Sequence, residues 1–197
     1  RELGQRAVCL SNLRQLTLAW IAYAAEYDGK IVDGQAFHHG DTGSRWVDGW
    51  LGRAFLFPES RSAVIENLDR GALWPYIRDI DIYRCARGRA GHLVTYSTLV
   101  AANSVLVEGT YIRLSGGKEL HALGKRVGST MLRLTRLTEI ISPGAAQRAV
   151  FIDMGQTPVG NDFYVYYLYP KWKWFDPAPI RHGDGTTLSM ADGHAEY

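Results

Sequence analysis

The chain has 197 residues, of which 46% are hydrophobic and 21% charged, and its formal net charge is +2. These values are typical of an ordinary globular protein with enough chain to bury one core. Lysine and arginine are scattered among 20 acidic residues, so no clustered basic face indicates a nucleic-acid partner. The most apolar run, residues 16–25, is about half the ~20 residues that a membrane-spanning helix needs.

Residues 1–27 predict a long helix. Their apolar side chains recur at steps of four and three residues, which places them on one helical face. Asp28-Gly29 supplies a stop that tolerates left-handed backbone. No residue suited to capping precedes the helix, so we expect it to continue upstream of Arg1 in the full-length protein, with a frayed terminus as the alternative. The residues on the predicted buried face are Cys9, Leu13, Leu16, Trp20, Tyr23 and Tyr27.

After Gly29 the helical period ends, and short strands and turns are predicted. No helices alternate with the strands, so the sheet is expected to be antiparallel and the fold class α+β. We expect a stem helix at 1–28 and a head at 29–197, together forming one domain. The predicted elements are a hairpin at 45–52 turning at Asp48-Gly49, a short helix in 60–77 ended by Gly71 with a new turn at Pro75, and strands at 92–100, 104–114, 148–155 and 162–179, while 129–140 is ambiguous between helix and strand.

The C-terminal stretch from Arg181 to Tyr197 contains two Asp-Gly pairs. Asp-Gly is a preferred pair for a type I′ hairpin turn, because both central residues then need positive φ. Asp192-Gly193 therefore predicts a hairpin, and Asp184-Gly185 a turn just before it. On this interpretation the nearby histidines lie on the flanks of neighbouring strands.

The same stretch also permits a metal-dependent hydrolase built on His182, Asp184, Asp192 and His194. Such a site needs about three ligands that converge on an open position, and no recurring ligand spacing supports it here. Calcium bound near either aspartate is a further alternative, since turn carboxylates are common calcium ligands. The turn interpretation is preferred, and His38-His39 with Asp41 is interpreted as a solvated polar loop.

Four segments resemble one bacterial family. The stretch "CLSNLRQLTLAWIAYAAEYDGKIV" at 9–32 resembles the stem that follows the membrane segment of prepilin-like proteins. "LWPYIRDIDIYRC" at 73–85 resembles an internal segment of that group, and "AVFIDMG" at 149–155 its buried strand ending in Asp. His182, nine residues and Asp192-Gly193 match the H-X9-DG signature of prepilin-type processing-associated proteins.

The resemblance implies a pilin-like fold, with the long N-terminal helix packed on an antiparallel sheet. It implies a non-enzymatic pilin-like or pseudopilin-like subunit of a type II secretion or type IV pilus-like envelope assembly, without a cofactor or metal. The expected partners are other pilin-like subunits or secretion components, and the inner membrane through an apolar helix upstream of Arg1. The head would then lie outside the cytoplasm, in a periplasmic or surface filament.

The two cysteines, Cys9 and Cys85, have no CxxC or Cys/His spacing typical of zinc sites. Composition alone leaves two buried thiols and one long-range disulfide as alternatives. The envelope location that the resemblance implies is oxidising, and it makes a disulfide between stem and head the hypothesis to test.

A second functional hypothesis is an extracellular binding module for a glycan or a partner protein. Its surface would use Trp46, Trp50, Trp172 and Trp174 together with the tyrosines of "FYVYYLY" at 163–169. Aromatic residues that alternate along a strand are more often partly core, so this hypothesis requires a contiguous exposed aromatic face.

Overall fold

A long helix, α1 (Glu2–Glu26), packs against a five-stranded sheet in the computed structural model. The structure describes residues 2–34, 49–52, 59–99, 102–103, 111–113, 119–121, 126–127, 130–131, 134–157, 162–163, 165–168, 171–174 and 179–197. Within these residues no helix is both long and apolar enough to cross a membrane.

Helix α1 confirms the first predicted element. Cys9, Leu13, Leu16 and Trp20 are all fully buried on the face that the periodicity indicates. Tyr27, on the same predicted face, is 48% exposed because it follows the last residue of α1, Glu26. Its ring stacks on the Tyr23 ring at 4.3 Å. The expected stop is present, since Asp28 and Gly29 adopt φ values of 55° and 75°.

Two short helices follow in the predicted 60–77 segment. Helix α2 (Arg61–Leu68) begins at Ser60, whose hydroxyl accepts a hydrogen bond from the Ala63 N–H at 3.3 Å. Helix α3 (Trp74–Ile77) has Pro75 in its first turn, where the missing N–H is tolerated. The predicted short helix and the new turn are therefore confirmed.

The five-stranded sheet consists of β1 (Tyr96–Leu99), β6 (Ala149–Asp153), β7 (Asp162–Phe163), β10 (Leu188–Met190) and β11 (Ala195–Glu196). Their spatial order is β11-β10-β6-β1-β7. Four strands pair antiparallel, in agreement with the α+β prediction, but β7 runs parallel to β1. The parallel pair arises because the chain reverses direction after β6 and reaches the sheet again on the far side of β1.

Three further antiparallel pairs lie between these strands in the sequence. They are formed by β2 (Tyr111–Arg113) with β3 (Glu119–His121), β4 (Arg126–Val127) with β5 (Thr130–Met131), and β8 (Val165–Leu168) with β9 (Lys171–Trp174). The ambiguous 129–140 segment is neither a continuous helix nor a continuous strand, since β5 is followed by a 3₁₀ turn at Leu137–Glu139. Of the predicted hairpin at 45–52, residues 45–48 lie outside the described residues. Its remainder includes Gly49, which bridges to Asp33.

The C-terminal hairpin is present, but its turn differs from the prediction. Leu188 pairs with Glu196 and Ser189 with Ala195, and only Gly193 has positive φ, at 95°. The loop is a type I turn closed by the Gly193 N–H to the Met190 carbonyl, followed by left-handed Gly193. The type I′ prediction was wrong because the Asp192 carboxylate accepts from the His194 N–H at 3.1 Å, which favours a three-residue loop.

The core lies between α1, the sheet and the 3₁₀ turn at Ile80–Tyr83. A buried hydrogen bond of 2.6 Å from the Thr17 hydroxyl on α1 to the Ser189 hydroxyl on β10 joins the helix to the sheet. Trp50 packs edge-on against Phe151 and parallel to Tyr83. The largest fully buried side chains are Trp20, Trp50, Tyr83, Tyr96, Phe151, Phe163, Leu13, Leu16, Leu51, Leu68 and Leu73.

Candidate functional site

Four chemically reactive side chains meet at a single point beneath α1. Cys9, Cys85, Asp153 and His182 are all fully buried, and one potential ligand atom from each lies within 4.8 Å of those of the others. We call this set the Cys-His-Asp cluster. Its members are separated by up to 173 positions in the chain, so it exists only in the folded molecule.

Each member of the cluster is positioned by a different element. Cys9 projects from the buried face of α1, and Cys85 follows the 3₁₀ turn at Ile80–Tyr83. Asp153 is the last residue of β6, opposite Tyr96 of β1. His182 precedes a tight turn in which its N–H donates to the Gly185 carbonyl at 3.2 Å.

This turn is displaced by one residue from its predicted position. Gly183 has φ 79° and forms the turn with Asp184, whereas Gly185 closes it on the far side. The Tyr197 hydroxyl contacts both the His182 carbonyl and the Asp184 carboxylate. The glycine at 185 leaves room for the Tyr197 ring, because a Cβ there would lie 2.9 Å from it.

The shortest contact in the cluster joins the two sulfurs. The Sγ atoms of Cys9 and Cys85 are 2.7 Å apart, and both residues are free thiols. The Cys85 Sγ lies 3.3 Å from His182 Nε2. The same nitrogen is 3.3 Å from Asp153 Oδ2.

Backbone N–H groups surround the cluster and donate to its acceptors. The Ala86 N–H donates to the Cys9 sulfur at 3.2 Å, and the Arg87 N–H donates to the Cys85 sulfur at 3.3 Å. The Gly155 N–H donates to Asp153 Oδ1 at 2.8 Å. These donors favour negative charge on the sulfurs and on the carboxylate.

Two polar atoms of the cluster lack a hydrogen bond within the described residues. They are Asp153 Oδ2 and His182 Nδ1, both in fully buried side chains. The Oδ2 atom is close to His182 Nε2 but has no hydrogen-bond geometry toward it. An unpaired polar atom in the core is costly. Other core atoms, such as Trp20 Nε1 and Tyr83 Oη, are also unpaired within the described part of the chain, but these two lie beside a pair of thiols.

The two thiols differ in acidity. A hydrogen bond from Cys85 lowers the pKa of Cys9 to about 6, against the opposing effect of burial. The same hydrogen bond, together with burial, raises the pKa of Cys85 far above its usual range. Burial also raises the pKa of Asp153, although the hydrogen bond from the Gly155 N–H opposes this rise. The opposite directions of the two pKa shifts reflect the one hydrogen bond that the two sulfurs share.

The arrangement differs from a nucleophilic triad. In a triad the base uses one imidazole nitrogen toward the nucleophile and the other toward the orienting carboxylate. Here Cys85 and Asp153 both face Nε2 of His182, and no side chain of the cluster is open to solvent. The geometry suits a structural site better than a reaction centre.

Asn12 connects α1 to the segment that carries Cys85. Its side-chain amide donates to the carbonyls of Asp81 and Arg84, at 3.1 and 3.0 Å. The residue is 8% exposed. Cys9 lies one helical turn before Asn12 on α1, so these two bonds help to hold the two sulfurs next to each other.

The hydrolase alternative is not supported by the geometry. His182 points into the cluster, Asp184 contacts Tyr197, and Asp192 contacts the imidazole of His194 at 2.6 Å. Within the described part of the chain, the Cys-His-Asp cluster is the one group of three or more potential metal-binding side chains. Of the two histidines expected on the flanks of strands, His194 lies directly before β11. His182 instead forms an isolated bridge with Gly185 and is fully buried next to Cys85.

Trp50 does not belong to the predicted aromatic binding surface, because it is fully buried in the core. That part of the prediction was wrong because the ring packs between Tyr83 and Phe151. Trp46 lies outside the described residues, as do His38, His39 and Asp41. Trp172 and Trp174 belong to β9, where the backbone alone is described.

The sequence indicated three of the four cluster residues, each for a separate reason. Cys9 and Cys85 were the predicted disulfide pair, and His182 belonged to the C-terminal motif. Asp153 was noted only as the end of a buried strand, and Asn12 was not singled out. A carboxylate that ends an otherwise apolar strand, as in "AVFID", was the available signal.

The chain matches no family model, and it matches no curated protein and no solved structure.

Proposed function

We propose that the protein is a pilin-like or pseudopilin-like subunit of a type II secretion or type IV pilus-like envelope assembly. In this proposal α1 is the stem that joins neighbouring subunits, and the sheet forms a head outside the cytoplasm. An apolar helix upstream of Arg1 anchors the stem in the inner membrane, and no residue is catalytic.

The observation that carries the proposal is which segments of the chain supply the members of the Cys-His-Asp cluster. Each of the four segments that resemble the family supplies one of its members: Cys9, Cys85, Asp153 and His182. Segments matched by chance would have no reason to place one residue each at a common buried point. Their convergence supports reading the four segments as one inherited pattern.

The surface of α1 supports an assembly role. Outside its buried face, the helix carries three exposed apolar residues, Leu3, Val8 and Leu18, which are 74%, 49% and 48% exposed. A helix that covers one sheet needs apolar residues on one face only. Exposed apolar residues on several sides of the stem are suited to contact with the stems of neighbouring subunits, as in a filament core.

The first test examines the gene and the mature protein. We expect a basic leader, a glycine before the cleavage point and ~20 apolar residues with a glutamate near their start. Mass spectrometry should find an N-methylated first residue. An ordinary cleaved secretory signal, or a cytosolic start a few residues before Arg1, would contradict the proposal.

A second test uses site-specific photocrosslinking in native cells. A benzoylphenylalanine at Val8 should cross-link to other pilin-like subunits. The same probe at Arg70, an exposed position on the head, is the matched control and should give little product. Equal yields at the two positions, or monomer alone at both, would argue against a stem-to-stem assembly.

A further inference from the structure

We propose that the Cys-His-Asp cluster, in its dithiol form, binds one zinc-class divalent cation in a four-coordinate site. The ligands are the sulfurs of Cys9 and Cys85, Nε2 of His182 and Oδ2 of Asp153. The site would join the stem helix to three separate segments of the head. This inference goes beyond the assembly role and does not depend on it.

The donor set selects the class of cation. Zn²⁺ is bound in structural sites by four ligands drawn from cysteine, histidine and carboxylate side chains. Calcium and magnesium require six or more oxygen ligands or retained waters, and here one carboxylate faces two sulfurs and an imidazole. Soft sulfur donors combined with imidazole favour Zn²⁺ among the common divalent cations.

The distances are close to those of a tetrahedral site. With metal–ligand bonds of about 2.0–2.3 Å, neighbouring ligand atoms in a tetrahedron are roughly 3.3–3.8 Å apart. The contacts from His182 Nε2 to Cys85 Sγ and to Asp153 Oδ2 are both 3.3 Å. The sulfur pair, at 2.7 Å, must open by about 1 Å to reach this geometry, and the three remaining pairs of ligand atoms lie within 4.8 Å of each other. A small rotation of the Cys9 or Cys85 side chain supplies that movement.

The hydrogen bonds around the cluster leave the proposed ligand atoms available. Asp153 Oδ1 is occupied by the Gly155 N–H, whereas Oδ2 has no hydrogen bond within the described residues. The sulfurs accept N–H groups from Ala86 and Arg87, as supporting donors around a metal site do. A cation would also compensate the burial of the Asp153 carboxylate, which faces no lysine or arginine in the described ion pairs.

Binding has a defined proton balance. Zn²⁺ enters as the cation, the thiol protons of Cys9 and Cys85 leave to solvent, and His182 binds in its neutral form. No electron is transferred. A disulfide between the same two sulfurs removes both thiolate ligands, so disulfide formation and metal binding exclude each other.

The test uses the full chain, reduced with a phosphine, with its two free thiols counted. Excess zinc is added and the unbound zinc is then removed. The zinc that remains bound is measured by elemental analysis and native mass spectrometry. We expect one Zn²⁺ per chain. Co²⁺ used as a spectroscopic probe should give thiolate-to-cobalt charge-transfer bands and the intense visible bands of a tetrahedral site.

The variants are Cys85→Ser and His182→Gln, with His194→Gln as the matched control. His194 belongs to the same C-terminal motif, but it is exposed and lies outside the cluster. We expect the two ligand variants to lose at least about 100-fold in zinc affinity and the control to bind like the parent chain. If the reduced parent chain unfolds without metal, its refolding on zinc addition supports the site.

Four results would overturn the proposal. Two concern uptake: the reduced, folded chain binds no zinc, or the chain remains unfolded with zinc present. The other two are bound Co²⁺ without thiolate charge-transfer bands and a loss of zinc affinity in His194→Gln equal to that in the ligand variants. The cobalt spectrum of the parent chain decides the matter even if a ligand variant fails to fold. None of these outcomes bears on the crosslinking experiment, so the two proposals can fail independently.

Discussion

Replacing Asn12 by alanine tests how α1 is fixed to the head. The substitution removes two hydrogen bonds from a residue that is 8% exposed. The Asp81 carbonyl keeps a second donor, the Arg84 N–H at 3.4 Å, whereas the Arg84 carbonyl loses its side-chain partner. Loss of the first bond costs about 0.5–1.5 kcal/mol, and an unpaired buried carbonyl costs about 1–3 kcal/mol. Alanine regains up to about 0.7 kcal/mol through its helix propensity.

The net expectation is a loss of about 1–4 kcal/mol in the free energy of unfolding. For a chain of this length the loss corresponds to a decrease in Tm of roughly 2–16 °C. Urea denaturation of the parent chain, Asn12→Ala and Ser11→Ala measures it, since Ser11 is the exposed neighbour on the same helical turn. Asn12→Asp, which cannot donate, should be at least as unstable as Asn12→Ala. If Asn12→Ala unfolds within about 0.5 kcal/mol of the Ser11→Ala control, the two bonds do not fix the helix as argued.

Three further predictions concern the cysteines, a buried histidine and the core. Under oxidising conditions Cys9 and Cys85, 76 positions apart, should form a disulfide that stabilises the chain by about 4 kcal/mol relative to the dithiol. Peptide mapping after alkylation and urea midpoints with and without reductant test this prediction, and two free thiols after oxidation would contradict it. Burial lowers the pKa of His92, and its Nδ1 accepts from the Thr157 N–H at 3.0 Å. Its contribution to stability should therefore be complete above about pH 6.5 and decrease as the pH falls through the lowered pKa; His92→Gln should flatten the change in stability between pH 7.5 and 5, and an unchanged pH profile would refute the assignment. Trp50→Ala should lose about 3–5 kcal/mol in the same denaturation assay, and a loss below about 1 kcal/mol would return Trp50 to the list of surface residues.

The local elements could be predicted from the sequence because short-range patterns determine them. The four-and-three spacing from Cys9 to Trp20 is sufficient to identify the buried face of α1. The apolar run at 149–153 is sufficient to identify β6. In both cases the signal lies within a few residues of the element that it predicts.

Pairing and turn type required contacts that the local sequence does not contain. The parallel position of β7 depends on which side of β1 the returning chain reaches. The three-residue loop at the C-terminal hairpin depends on the Asp192 carboxylate accepting from the His194 N–H. An Asp-Gly pair is compatible with both loop types, so the sequence pattern alone could not distinguish them.

The Cys-His-Asp cluster was the least predictable feature. Its members have no mutual spacing that resembles a metal or catalytic motif, since each belongs to a different element. The prediction of turns in the C-terminal stretch was correct for Asp192, but it gave no indication that His182 is buried. A tertiary structure was needed to show that one of the two histidines there belongs to the core.

Because distant segments pack on α1, the order of synthesis also determines when the protein can fold. His182 lies beside Cys9, and Ser189 is hydrogen-bonded to the Thr17 hydroxyl. A chain leaving the ribosome presents α1 well before the strands that cover its buried face, which lie at 149–153 and 188–190. Contacts between such distant positions form late and slowly, so the apolar face of α1 stays exposed until both strands have been made. During that interval the exposed face is a surface through which the nascent chain can aggregate.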